Sequence, residues 1–194
     1  MKKTITKIFA VAGMVAATMF TSNAQISVGL TGGVGLPLGD FAAAASTGIG
    51  GGLQGRYHLN DNLAIGLNFG YYTFSGISID MGPQGKISTS FNIIPVTASC
   101  EYFFSDGDFK PFAALDLGMY SLGAKVDATA SNGTTLSADS PRENKFGFGI
   151  GAGAAYGLSD KFDLIGSVKY NTIVGDNSNL NWIGVNVGVS MKFD

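Results

Sequence analysis

From Asn181 to Phe193 the chain alternates without a break. Ile183, Val185, Val187, Val189, Met191 and Phe193 fall on one side; Trp182, Gly184, Asn186, Gly188, Ser190 and Lys192 fall on the other. A period of two is that of an extended strand. One side is aliphatic and the other is small or polar with few charges, which fits a wall between lipid and a crowded interior better than a soluble sandwich. The rule repeats upstream. Leu63, Ile65, Leu67, Phe69 and Tyr71 oppose Ala64, Gly66, Asn68, Gly70 and Tyr72, and Phe146, Phe148, Ile150, Ala152, Ala154 and Tyr156 alternate with Gly147, Gly149, Gly151 and Gly153. Eight strands are predicted, over residues 25–36, 49–59, 63–76, 88–104, 109–124, 145–158, 162–173 and 181–193. The fold class is all-β, an eight-stranded antiparallel up-and-down transmembrane β-barrel.

The connections support this reading. Asn60-Asp61-Asn62, Ser105-Asp106-Gly107-Asp108 and Ser159-Asp160-Lys161 are tight turns of turn-forming residues. Longer segments at 37–48, 77–87, 125–144 and 174–180 alternate with them. Short turns at one end and longer loops at the other are the pattern of outer-membrane barrels, with the short turns and both termini periplasmic. Outward aromatics gather at two heights: Tyr57, Tyr102, Phe104, Tyr156, Phe162 and Phe193 near the turns, and Tyr71, Phe146 and Tyr170 near the loops. Aromatic side chains favour the two membrane interfaces. Pro95 and Pro111 interrupt predicted strands, so a bulge or a skipped ladder bond is expected near each.

Asn186, Gly188, Met191 and Phe193 carry a polar-x-Gly-x-x-apolar-x-aromatic ending that resembles the assembly signal of bacterial outer-membrane β-barrel proteins. In that family the aromatic usually comes last; here Asp194 follows it. In pattern, the chain is similar to the small eight-stranded barrels related to the membrane domain of outer membrane protein A, and a porin-family label would fit the same resemblance. The resemblance implies an integral protein of the Gram-negative cell envelope, in contact with outer-membrane lipids and with the barrel-assembly machinery during biogenesis.

The N-terminus fits this destination. Residues 1–24 combine Lys2, Lys3 and Lys7, an apolar run from Ile8 to Phe20 and a Ser22-Asn23-Ala24 cleavage site, and are predicted to be a secretory signal peptide. No Cys lies at the cleavage site, so no lipid anchor is expected. Cleavage after residue 24 of 194 leaves 170, the barrel domain at 25–194, and loss of three lysines takes the formal charge from −2 to −5. That charge argues against nucleic acid as a partner. No later apolar run approaches the roughly 18 residues of a spanning helix. Cys100, the only cysteine, excludes an internal disulfide and is expected to face lipid.

Candidate chemistry is sparse. By alternation Arg56, Glu101, Asp116, Asp163, Lys169 and Lys192 point inward, beside His58. Three cations against three anions suggest a structural network, since unpaired buried charges cost several kcal/mol. Counting heights pairs Arg56 with Glu101, Asp116 with Lys169 and Asp163 with Lys192; the first two pairs each reach across one strand, over Ala64 and Gly66 or over Gly149 and Gly151. His58 lacks ligand-spaced partners, and no catalytic residue, metal or cofactor site is expected. The glycine runs at 48–52 and 147–151 continue into strand alternation and open no helix, so they are not nucleotide loops. Asn132-Gly133-Thr134 fits a glycosylation sequon but is explained as a turn. Tyr72, Phe74, Phe91, Tyr120 and Trp182 face inward towards the loop end and are expected to line a dead-end cup for a small apolar or amphipathic molecule, or to plug the barrel. Eight strands leave an interior that side chains can fill, so no open pore is expected. A structural or surface-interaction role through the loops, with a possible extracellular partner, is the leading expectation; a lipid- or peptide-modifying enzyme is the remotest.

Overall fold

The computed structural model describes residues 25–82, 85–130, 132–176 and 178–193. The predicted signal peptide and Asp194 lie outside them. The elements are β1 (Ile26–Leu38), the short helix α1 (Asp40–Ala44), β2 (Ala45–His58), β3 (Leu63–Asp80), β4 (Lys86–Phe103), β5 (Phe109–Thr129), β6 (Thr135–Asp139), β7 (Glu143–Gly157), β8 (Phe162–Ile173) and β9 (Leu180–Phe193). Every pairing is antiparallel, and β1 pairs with β9 from Ile26↔Phe193 to Leu38↔Asn181, which closes the sheet. Eight strands form the barrel. β6 lies outside the ring, because it pairs only with the far end of β5.

Alternation sets which side chains turn inward. Leu30, Ile49, Leu67 and Val187 are each 64–70% exposed on the outer wall, while Arg56, Glu101, Asp116 and Trp182 are at most 5% exposed inside. Such a continuous apolar exterior belongs in lipid, which solvates it at no cost. No described helix is long and apolar enough to cross a membrane; the strands cross it.

At the turn end, side chains close the hairpins. Asn60 Oδ1 accepts from the backbone N–H of Asn62 at 2.9 Å and of Leu63 at 2.8 Å, and Ser159 Oγ accepts from Phe162 N at 3.2 Å. The loop end is more structured than the sequence suggests. The segment 37–48 contains α1, entered through Gly39 at φ +58, a conformation that favours glycine. The segment 77–87 is largely ladder, with Asp80 opposite Lys86, and 125–144 contains β6. The two proline expectations divide. The β3–β4 ladder skips the rungs beside Pro95, between Phe69↔Val96 and Tyr72↔Ile93, without a change of register. Pro111 keeps its place in the β5–β7 ladder and lies just beyond the last rung of the β4–β5 ladder, Phe103↔Phe112. It sits at the turn end, where its carbonyl accepts from Phe104 N–H at 2.9 Å and its missing donor costs only a terminal rung.

Candidate functional site

The lumen is stacked in layers. Nearest the turns, Phe103 and Phe112 pack at 5.3 Å between centroids, with Ala64, Ala114, Ala155 and Ile165 around them. His58 lies against Phe103, ring to ring at 5.7 Å, and its Nε2 is 3.3 Å from Ser27 Oγ. Lys192 Nζ donates to Asp163 Oδ1 at 3.0 Å close by. This apolar floor is absent from the sequence reading, although the parity that places Asp116 inward also places Phe112.

Above the floor is the charged layer. Arg56 Nε donates to Glu101 Oε2 at 2.7 Å, and Gln54 Nε2 donates to Glu101 Oε1 at 2.6 Å. The Arg56 guanidinium also lies over the Phe112 ring, 5.7 Å from its centroid. Lys169 Nζ donates to Asp116 Oδ2 at 2.7 Å, and Asn68 Nδ2 to Asp116 Oδ1 at 3.2 Å. Both long pairs pass over a strand that offers only small residues. A methyl group added at Gly151 would meet Lys169 Cγ at 2.8 Å, and one at Gly66 would meet Ser99 Oγ at 2.8 Å. On the turn side of the floor, Lys110 adds a fourth cation to the expected three, since it shares the inward parity of Phe112 and is half-buried. Between the charged layer and the next is a cavity of about 90 Å³, lined by Asn68, Tyr72, Asp116, Lys169 and Asn186 among others. It is polar and large enough to hold water.

In the uppermost layer the inward aromatics are packed as a plug, one of the two arrangements their parity allows, the other being a cup. Tyr120, Trp182 and Phe74 are at most 1% exposed, packed edge to face at 5.7 Å (Tyr120 to Trp182) and 6.2 Å (Phe74 to Trp182). Tyr72 and Phe91 pack against them half-buried, and Tyr72 Oη donates to Asn186 Oδ1 at 2.7 Å. The mouth does not stand open. Phe41, carried on α1, is 3% exposed and meets Phe74 at 5.0 Å and Phe91 at 6.0 Å, which caps the stack. Phe74 fits because Gly35 and Gly48 lie against its ring; a Cβ at either would come within 2.7 Å of it.

The four residues of the terminal motif have separate places. Phe193 and Met191 are outside, opposite Ile26 and Val28 of β1; Asn186 is inside; and a Cβ at Gly188 would collide with the backbone carbonyl of Leu30. Cys100 is exposed on the outer wall. Among the described residues no group of three His, Cys, Asp or Glu side chains is arranged to hold a metal. Outside the membrane, Lys145 pairs with Asp176 and holds its carboxyl below the usual carboxylate range, through a hydrogen bond and through charge.

A closed ring of eight strands, apolar outside, with its core filled by ion pairs between two apolar plugs, defines a small transmembrane barrel. The chain belongs to the outer membrane protein beta-barrel domain family, which it matches over residues 8–193. Its place is therefore the outer membrane of a Gram-negative bacterium. Among solved structures it is similar to Neisserial surface protein A, at 17% identity with TM-score 0.56, over 89% of this chain and 98% of that one. It is also similar to the N-terminal β-barrel domain of OprF and to the outer membrane protein OprG, both from Pseudomonas aeruginosa. OprF gives 16% identity and TM-score 0.52 over 87% and 97% of the two chains; OprG gives 17% and 0.52 over 88% and 95%. At these identities the likeness is one of fold. No curated protein matches the sequence.

Proposed function

We propose that the protein acts through its outer wall and its loops, as a structural and surface-interaction barrel without an open pore or a catalytic site. The single observation that carries this reading is the filled lumen: paired charges between two apolar plugs, capped by Phe41. A pore would need a continuous polar path, and each plug interrupts one.

The strongest enzyme-like feature supports the same reading. Ser27 and His58 form a hydroxyl–imidazole pair, but Ser27 is 2% exposed. The carboxylates of Glu101 and Asp163 are engaged by Arg56 and Lys192. With the hydroxyl buried and both carboxylates engaged, neither of these acids is free to orient the imidazole. The partners proposed with this role are outer-membrane lipids at the apolar wall, the assembly machinery at the terminal strand, and an extracellular partner at the loops.

A surface role requires the loop end to face outward. On intact cells an impermeant amine-reactive label should modify Lys86, in the β3–β4 hairpin, and leave Lys161, in the β8 turn, unmodified until the outer membrane is breached. Labelling of Lys161 on intact cells, with Lys86 protected, would reverse the orientation and remove the surface role.

A further inference from the structure

Beyond the membrane, β3, β4, β5 and β6 continue as a two-faced sheet. Ile79 lies opposite Ile87, Ile87 opposite Ala128 and Ala128 opposite Leu136, so one row across four strands is wholly apolar. This row keeps the inward parity of Phe91 and Leu122 further down. The opposite face is polar and laced across the strands, by Ser78 with Ser88 at 3.3 Å, Thr129 with Thr135 at 3.0 Å, and Asp127 with Ser137. Yet the apolar face is wet: Ile79 is 56% exposed and Leu136 74%.

At the foot of that face lies a second cavity, of about 440 Å³. Phe41 and Ala44 of α1, Phe91 and Ile93 of β4, Leu122 of β5 and Leu180 of β9 give it apolar walls. Its volume is within the roughly 300–1,000 Å³ of small-molecule sites. Phe41 separates it from the lumen, so it opens only outward. Two carboxylates, Asp40 and Glu143, are among its lining groups. Of the two nearby cations, one is turned elsewhere. The Arg142 guanidinium lies over Gly123, where an added Cβ would meet its Cζ at 3.5 Å, and Gly123 has the outward parity of β5. The other, Lys145, pairs with Asp176 and also, at the longer distance of 3.8 Å, with Glu143, whose side chain remains 69% exposed.

We infer that this extracellular cavity binds a single-chain amphiphile with a cationic head. The tail lies between α1 and the inner faces of β4 and β5, continuing onto the apolar row of the sheet, and the head sits at Asp40 and Glu143. Burial of the tail supplies the affinity, and the carboxylates select the sign of the head. Of the inward aromatics only Phe91 lines this site; Tyr72, Phe74, Tyr120 and Trp182 do not.

Trp182, the only tryptophan, gives the test a reporter beneath the cavity, joined to Phe41 through Phe74. Protein in lipid nanodiscs is titrated with bromododecylamine and, separately, with bromododecanoate, and quenching of Trp182 is followed. The amine should quench saturably and at least about threefold more tightly than the acid. Leu122→Asp, which puts a charge in the tail site, and Ala44→Phe, which fills it, should each weaken the amine about tenfold, or 1.4 kcal/mol. Both variants are first checked for assembly by their heat-dependent gel mobility. Asp40→Asn with Glu143→Gln should abolish the preference for amine over acid. Quenching that rises linearly, or that is the same in wild type and both assembled tail-site variants, would overturn the site. Equal binding of acid and amine to wild type would overturn the cationic head.

Discussion

Glu101 is 1% exposed and accepts from both Gln54 and Arg56, so its removal leaves a buried guanidinium without a counter-charge. Breaking a buried pair from one side costs about 3–5 kcal/mol, whereas replacing both partners with apolar groups costs much less. Glu101→Ala should therefore lower the urea midpoint of unfolding from lipid vesicles sharply, and Arg56→Leu with Glu101→Leu should recover most of the loss. An undiminished midpoint in Glu101→Ala would mean that the pair adds nothing. Phe41 supports a second expectation, because it packs edge to face on both Phe74 and Phe91. Phe41→Ala should leave the barrel assembled but make Trp182 more accessible to acrylamide, read as a steeper quenching slope; an unchanged slope would show that Phe41 is no lid. The two residues differ in how they could be read from the sequence. Glu101 sits on a regular strand, where parity gives its direction and counting gives its height. Phe41 sits between Gly39 and a run of alanines, where no strand period runs, and its burial depends on a turn that only the folded loop reveals.

Among the elements, β9 closes the ring on β1 and carries the terminal motif. Phe193 is 46% exposed on the outer wall, so its truncation removes little packing inside the barrel. If the aromatic is an assembly signal, Phe193→Ala should reduce the amount of heat-modifiable barrel in the membrane more than Asp194→Ala does; equal amounts would leave the motif without a role. β6 is the opposite case, because it hangs on β5 over five rungs while β5 pairs with β7 independently. Replacing residues 130–141 with a short Gly-Ser linker should leave the heat-dependent mobility shift intact, and its loss would show that the barrel needs the flap. The membrane part of each strand was legible because lipid outside and a crowded lumen inside enforce alternation. The extensions beyond the membrane were not. Gly76 and the bulge between Ser75 and Ser78 interrupt the pattern where β3 leaves the bilayer, so the alternation stops there although the strand continues.

At the scale of the molecule, the interior of an eight-stranded ring is narrow, and the sequence fills it twice with rings and once with ions. The ionic layer could be read from spacing, but whether the inward aromatics plug the mouth or line a cup could not. That choice depends on what the loops place above them, and here they place Phe41. Single-channel recording in a planar bilayer tests the filled barrel most directly. The purified, heat-modifiable protein should give no reproducible conductance steps over the voltages the bilayer withstands. Regular, ohmic steps of uniform size from wild-type protein would contradict the filled lumen and with it the proposed role.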